Sequence, residues 1–336
     1  MSACTRAWCL AVITRTMRKQ PTGKLVVFIL LSVFIARRGD AQETPLADHH
    51  QHLFSPAVVA AGETMQQITV DDLIAHLDAA GIRRAVVLSL GYILGVPNNT
   101  SADEYDKVKA ENDWTSSQVA RFPDRLVGFC SVNPLKEYAF DELARCAKDE
   151  RLRRGLKLHI ANSRVDYHNP AHVERLRRLF AAANGYGMAI AVHMRTSISA
   201  KIPYGAEEAR TFLNEIVPEA PDVPVQIAHL AGAGGYSDPL VDAALAVFVD
   251  AIGRGDPRTR QLWFDVTTVA STATADQRNL LATRIRQLGA GRVLYGSDAT
   301  AGNNLAPGES WAAFRQLPLS AGEFRTIAGN LPPYMR

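Results

Sequence analysis

Along residues 46–336 the chain alternates short apolar runs with longer amphipathic stretches, and neither a low-complexity segment nor a long linker interrupts the pattern. Eight runs read as strands: PLADHHQHL, RAVVLSL, LVGFCSV, GLKLHI, MAIAVHM, PVQIAHL, LWFDVTT and RVLYGSD. They are of strand length and are separated by helix-length stretches with turn residues. The first helix is predicted over 69–81, TVDDLIAHLDAAG, with Thr69 as N-cap and Gly81 as stop. Others are predicted over 103–121, 139–149, 170–184, 205–217, 239–254 and 276–288, with a last one from Ala321 to Ala328. Pro170 opens its helix without loss, since its missing N–H would have had no helical partner.

Eight strand–helix repeats in about 290 residues predict an α/β fold, a (β/α)8 TIM barrel. A doubly wound sheet shares the alternation but carries a glycine-rich phosphate loop after its first strand. Histidines occupy that position here, and GAGGYS at 232–237 lacks the dinucleotide spacing, so it reads as a loop at the active site.

Strand periodicity then sorts the polar residues. Side chains alternate across a strand, so one face points into the barrel and the other toward the helices. Lys157 and His159 share the inward face of strand four, and Ala191 and His193 that of strand five. His229 ends strand six and Asp298 ends strand eight, at the rim where barrel active sites lie. His50 and His52, two apart on strand one, project side by side, whereas His49 points the other way. Imidazoles with a carboxylate, in a site with open positions, suit a divalent metal. His50, His52, His193, His229 and Asp298 are therefore the candidate residues of a metal site. Lys157, His159 and Arg195 are the expected substrate-binding residues, and Asp265 on strand seven either orients a histidine or is a buried structural acid. His76, His168 and His172 fall in helices or loops and read as structural or solvated.

The ordered motifs D-H-H-Q-H, VHM, IAHL and YGSD resemble the amidohydrolase superfamily. FPDRLVGFCSVNP, GLKLH and FRTIAGNLPPYMR are similar to its amidohydrolase-2 branch, and the resemblance spans residues 46–336. It implies that His50 and His52 bind a divalent metal, that His193 is a further ligand, and that His229 is a ligand or polarises the substrate. It implies that Asp298 is both ligand and proton shuttle. Binuclear members bridge their metals with a carboxylated lysine at the end of strand four. Lys157 lies two residues before His159, which favours one metal, with Lys157 an ionic partner, an anchor for a substrate anion, or half of a structural ion pair. The branch often has an aromatic residue and proline after its strand-eight SD; SDATAGNN stands here, so relatives do not transfer a substrate.

Composition changes the picture at the N-terminus. Leu25–Ala36, LVVFILLSVFIA, follows Arg18, Lys19 and Lys24 and is shorter than the roughly 20 residues that span a bilayer. Residues 1–41 therefore read as a secretory leader with Gly39–Ala41 as cleavage site, Met17 as an alternative start, and an uncleaved anchor as the alternative. The mature domain is 42–336, exported to a periplasm or secreted. Without the leader the chain keeps 30 basic and 33 acidic residues, which points away from nucleic acid and anionic membranes. Cys130 and Cys146, one in a strand and one in a helix, read as buried thiols rather than a disulfide.

The expected function is hydrolysis of a small ester, lactone or amide with one divalent ion; zinc suits the donors, as do manganese, iron and nickel. Decarboxylation of a small unsaturated or aromatic acid is the alternative, favoured if Lys157 and Arg195 both await a carboxylate. A non-catalytic metal-bound receptor is the third reading. The partner is a small molecule, with homo-oligomerisation left open. Substrate choice is assigned to loops 91–103, 195–206, 231–238 and 299–309.

Overall fold

The computed structural model describes residues 43–62, 66–99, 101–299 and 304–336; the expected leader, 1–41, lies outside them. Eight strands form: β1 Ala47–Gln51, β2 Arg84–Leu88, β3 Leu126–Ser131, β4 Gly155–His159, β5 Ala189–His193, β6 Val225–Ile227, β7 Leu262–Asp265 and β8 Val293–Leu294. All seven strand pairings are parallel and run in sequence order, β1 to β8. The segment after β8 returns to β1 through His49 N–H to the Tyr295 carbonyl, 2.9 Å, and Asp298 N–H to the His50 carbonyl, 2.9 Å. This is the predicted (β/α)8 barrel.

Local chemistry fixes the helices much as the sequence suggests. Thr69 caps Val70–Ala80 in a reciprocal box with Asp72, and Gly81 ends it at φ 70°, a left-handed conformation that glycine adopts without cost. Glu104–Val119, Ala139–Cys146, Pro170–Gly185, Pro239–Gly253, Ala275–Leu288 and Ala321–Gly329 occupy the other predicted stretches. The stretch expected over 205–217 is helical from Ala206 to Thr211 and then widens into a π-turn over Phe212–Ile216. Short helices at Pro56–Ala61, Gly91–Leu94, Ile160–Ser163 and Pro307–Phe314 form where loops or strand ends were expected. Among the described residues no helix is long and apolar enough to cross a membrane.

Two apolar layers result. Leu156, Leu158, Ile190, Val192 and Met194 face the helices, as period two requires. Ala47, Val86, Leu88, Phe129 and Ala191 fill the lower barrel interior together with Tyr334 and Met335 from the turn Pro333–Met335. That turn acts as a plug. Gly155 admits the Phe129 ring, because a Cβ there would lie 2.4 Å from it.

One expectation is corrected. Cys130 and Cys146 form a disulfide, with Cα atoms 6.1 Å apart. The outward face of β3 meets the helix Ala139–Cys146 that immediately follows it, which brings a strand cysteine and a helix cysteine together.

Candidate metal centre

Hydrogen bonding sets the proton positions on the rim histidines. His50 Nδ1 lies 3.1 Å from Asp265 Oδ2; an ionised carboxylate only accepts, so Nδ1 carries the proton and Nε2 keeps its lone pair. His52, just beyond β1, repeats this with the Leu88 carbonyl at 2.7 Å. His229 does so with the Thr267 carbonyl at 3.1 Å. A ring N–H given to a carboxylate or carbonyl is the usual support of a metal-ligating imidazole. Burial holds these rings neutral: it pushes His50 down to about 3, aided by the Lys157 charge and opposed by Asp265. It also pushes His52, His193 and His229 below the usual histidine range.

The rings form one contiguous group. Centroids are 5.3 Å apart for His50 and His52, 4.9 Å for His50 and His229, and 5.1 Å for His229 and His193. Asp298 joins them from the segment after β8, its Oδ1 3.8 Å from His52 Nε2. That Oδ1 is buried and has no hydrogen-bond partner among the described residues. Burial pushes the Asp298 carboxyl up, the Lys157 charge opposing. Ligand atoms of His50, His52 and Asp298 all lie within 4.8 Å of one another. Two imidazole lone pairs beside an orphaned carboxylate oxygen fit a divalent ion. His193 lies in the same ring group but outside this tight trio, and neither of its nitrogens is hydrogen-bonded among the described residues.

The remaining expected residues divide. Lys157 is buried on the inward face with Nζ 3.4 Å from His50 Nε2, and burial pushes its ammonium pKa down against the pull of Asp265 and Asp298. His159 caps the short helix after β4, its Nδ1 accepting from Asn162 N–H at 3.2 Å. Arg195 is already engaged: Nη2 donates to Asp238 Oδ2 at 3.1 Å and the guanidinium lies 4.6 Å from the Tyr204 ring centre. Its expected role as a free carboxylate clamp is therefore not what its contacts describe. His229, neutral with a bare Nε2, offers a lone pair rather than a proton, which suits ligation better than polarising a carbonyl.

Asp265 is the hub. It accepts from His50 Nδ1, from Gln226 Nε2 at 2.7 Å, from His229 N–H at 2.8 Å and from Thr267 N–H at 3.2 Å. These bonds hold its carboxyl well below the usual range despite complete burial. Tyr334 Oη donates to Gln226 Oε1 at 2.7 Å, so hydrogen bonds run from the plug through Gln226 and Asp265 to His50. Asp48 performs the matching task on β1. It accepts from His50 N–H at 3.1 Å, from Gln51 Nε2 at 2.7 Å and from Ser297 Oγ at 2.6 Å. Burial raises its pKa to about 6. The backbone carries strain at the same place. His229, Leu230, Ala231, Thr268 and Asp298 have φ of 54°, 48°, 68°, 58° and 53°, each costing roughly 1–2 kcal/mol without glycine.

A parallel (β/α)8 barrel with imidazoles and a carboxylate at the carboxyl ends of its strands defines the class of metal-assisted barrel enzymes. The chain belongs to the amidohydrolase family, in its amidohydrolase-2 branch, whose model matches residues 47–330. It is an enzyme of that metal-dependent family, whose structural neighbours act on small molecules. Similar solved structures include a probable 2-pyrone-4,6-dicarboxylic acid hydrolase from Acinetobacter baumannii with citric acid bound. It is 18% identical, with 84% of this chain and 96% of that chain covered and a TM-score of 0.54. The 5-carboxyvanillate decarboxylase from Sphingomonas paucimobilis is 15% identical, covering 85% and 97%, with a TM-score of 0.59. A dihydroxybenzoic acid decarboxylase from Polaromonas sp. JS666, with bound manganese and 2-nitroresorcinol, gives 15%, 85%, 95% and 0.59. At these identities they share the fold. No curated protein matches the chain.

Proposed function

We propose that this chain is an exported, metal-dependent hydrolase of a small ester, lactone or amide. The observation that carries the reading is the gathering of one ligand atom each from His50, His52 and Asp298 within 4.8 Å of one another, with the Asp298 Oδ1 buried and without a hydrogen-bond partner among the described residues. His193 and His229 complete the ligand candidates, and zinc suits the donors, as do manganese, iron and nickel. A divalent ion held there supplies a Lewis acid for a carbonyl and acidifies water from a pKa of 15.7 to roughly 7. Asp298, whose Oδ1 lies at the ligand set, would take a proton from the attacking water and return it to the leaving group. Asp265 and the Leu88 carbonyl fix the two β1-derived rings so that their lone pairs stay aimed during turnover. Export is supported by the leader-like residues 1–41 and by the Cys130–Cys146 disulfide, a bond that persists in oxidising compartments.

Decarboxylation of a small acid is the second reading, supported by Lys157, whose buried ammonium neighbours the ligand set. It would gain from a second cation, and the pairing of Arg195 with Asp238 weighs toward hydrolysis. Elemental analysis of the purified full chain is the test. About one equivalent of metal in the wild type, lost in His50→Ala/His52→Ala, is expected. In a screen of esters, lactones, amides and small carboxylic acids, Asp298→Asn keeps the metal and loses hydrolysis by roughly a hundredfold or more. Carbon dioxide release in place of hydrolysis would turn the assignment to a decarboxylase, and a wild type that takes up no metal would sink both.

A further inference from the structure

Proton placement separates His159 from the other histidines of the rim. His50, His52 and His229 each donate through Nδ1 to an oxygen, which leaves the ring lone pair on Nε2. His159 is reversed. Its Nδ1 accepts the Asn162 backbone N–H at 3.2 Å; a backbone N–H only donates, so Nδ1 is bare and Nε2 carries the proton. Nothing among the described residues accepts that proton. The ring stacks on His193, with centroids 3.9 Å apart and planes 13° from parallel, on paired residues of β4 and β5. A group that cannot ligate through its inner nitrogen thus lies against one that can.

A second donor stands beside it. The Tyr92 ring is 4.9 Å from that of His159 and is packed with Phe54, Val58 and Leu90. Tyr92 is 4% exposed as a residue; its hydroxyl makes no hydrogen bond among the described residues and is not enclosed by them, so it is open to solvent or a ligand. Its backbone is fixed: Tyr92 N–H donates to Ser131 Oγ at 3.0 Å. The preceding Gly91 lies so close to β3 that a Cβ would sit 2.9 Å from the Ser131 carbonyl oxygen. Lys157 adds a positive charge on the same face of β4, two residues before His159.

We propose that His159 Nε2–H and Tyr92 O–H form a donor pair that grips an anionic oxygen of the substrate beside the ligand set and selects such substrates over neutral ones. The proposal deepens the hydrolase reading and rests on it for the reaction, but its evidence is the tautomer and the unpartnered hydroxyl. Two measurements test it on the metal-loaded full chain. Long-range proton–nitrogen NMR of 15N-histidine-labelled protein, with the His159 signal assigned by its loss in His159→Asn, shows Nε2–H for His159. A protonated Nδ1 overturns the proposal. Titration calorimetry then compares benzoate with its neutral counterpart benzamide. The wild type prefers benzoate; His159→Asn and Tyr92→Phe each weaken benzoate about tenfold and leave benzamide unchanged.

The asparagine oxygen can replace Nδ1 in capping Asn162, so His159→Asn melts like the wild type and separates binding from folding. His159→Gln places an amide N–H where Nε2–H stood and recovers part of the affinity. Unchanged benzoate affinity in both donor-deleting variants, or a wild type that does not favour benzoate, overturns the pair. A wild type without metal, or loaded yet inert toward esters and lactones, counts instead against the hydrolase reading, because neither measurement depends on turnover.

Discussion

Asp265 and Glu111 are both buried acids, and their surroundings drive them in opposite directions. Asp265 has four donors and stays ionised. Among the described residues Glu111 accepts only from Ser55 Oγ and its Oε1 has no partner, and burial raises its pKa from 4.5 to about 7. The folded protein therefore keeps a proton on Glu111 that the unfolded chain has lost. Its contribution to stability is greatest below about pH 4.5, falls as pH rises toward 7, and is constant above. At roughly 1.4 kcal/mol per pKa unit the loss is at most about 3 kcal/mol. Glu111→Gln removes the titration. Its melting temperature relative to the wild type should rise by several degrees between pH 4.5 and 7; a pH-independent difference would show that Glu111 ionises freely. At this scale the histidines were legible, because strand periodicity alone put His50, Lys157, His159 and His193 on inward faces. Tyr92 and Gln226 were not, since nothing local distinguishes an apolar-run tyrosine or a strand glutamine whose partners come from distant strands.

Elements were legible where their signals are local, and less so where another strand intervenes. Thr69, Asn169, Asp238, Thr274 and Ser320 all cap helices through their side chains. The runs expected as strands six and eight end early, at Ile227 and Leu294. In the first, Asp265 draws the His229 N–H out of the ladder and the chain turns left-handed for three residues. The disulfide escaped for a related reason: the sequence places Cys130 on β3 and Cys146 on a helix but does not say that those two surfaces meet. The sixteen-residue separation predicts stabilisation of about 3 kcal/mol. Cys130→Ala/Cys146→Ala should lose about that much in denaturant unfolding, and reductant added in denaturant should bring the wild type to a similar midpoint. The full chain also carries Cys4 and Cys9, so four titratable thiols rather than two in oxidised, denatured wild type would contradict the pairing.

For the whole molecule, eight alternating runs were enough to give the barrel and its rim, because parallel strands joined by helices have few ways to bury both faces. The closure of the lower end was not visible. Tyr334 packs edge-on to Phe129 with centroids 5.2 Å apart and hydrogen-bonds Gln226 in the interior. Tyr334→Ala should cost roughly 3–5 kcal/mol and Tyr334→Phe about 1 kcal/mol, read from chemical unfolding midpoints. A Tyr334→Ala variant as stable as the wild type would show that the plug only covers the barrel.

The plug also bears on how the chain is made. It reaches β1 directly, the Tyr334 hydroxyl lying 3.4 Å from His49 Nδ1, and just before it the Asn330 carbonyl accepts from His49 Nε2. A ribosome synthesising this chain delivers His50 and His52 more than 280 residues before Pro333–Met335, the segment that seals the floor beneath them. Domains fold as units, and contacts this distant in sequence form late. The nascent chain therefore carries an open barrel until synthesis has passed residue 335.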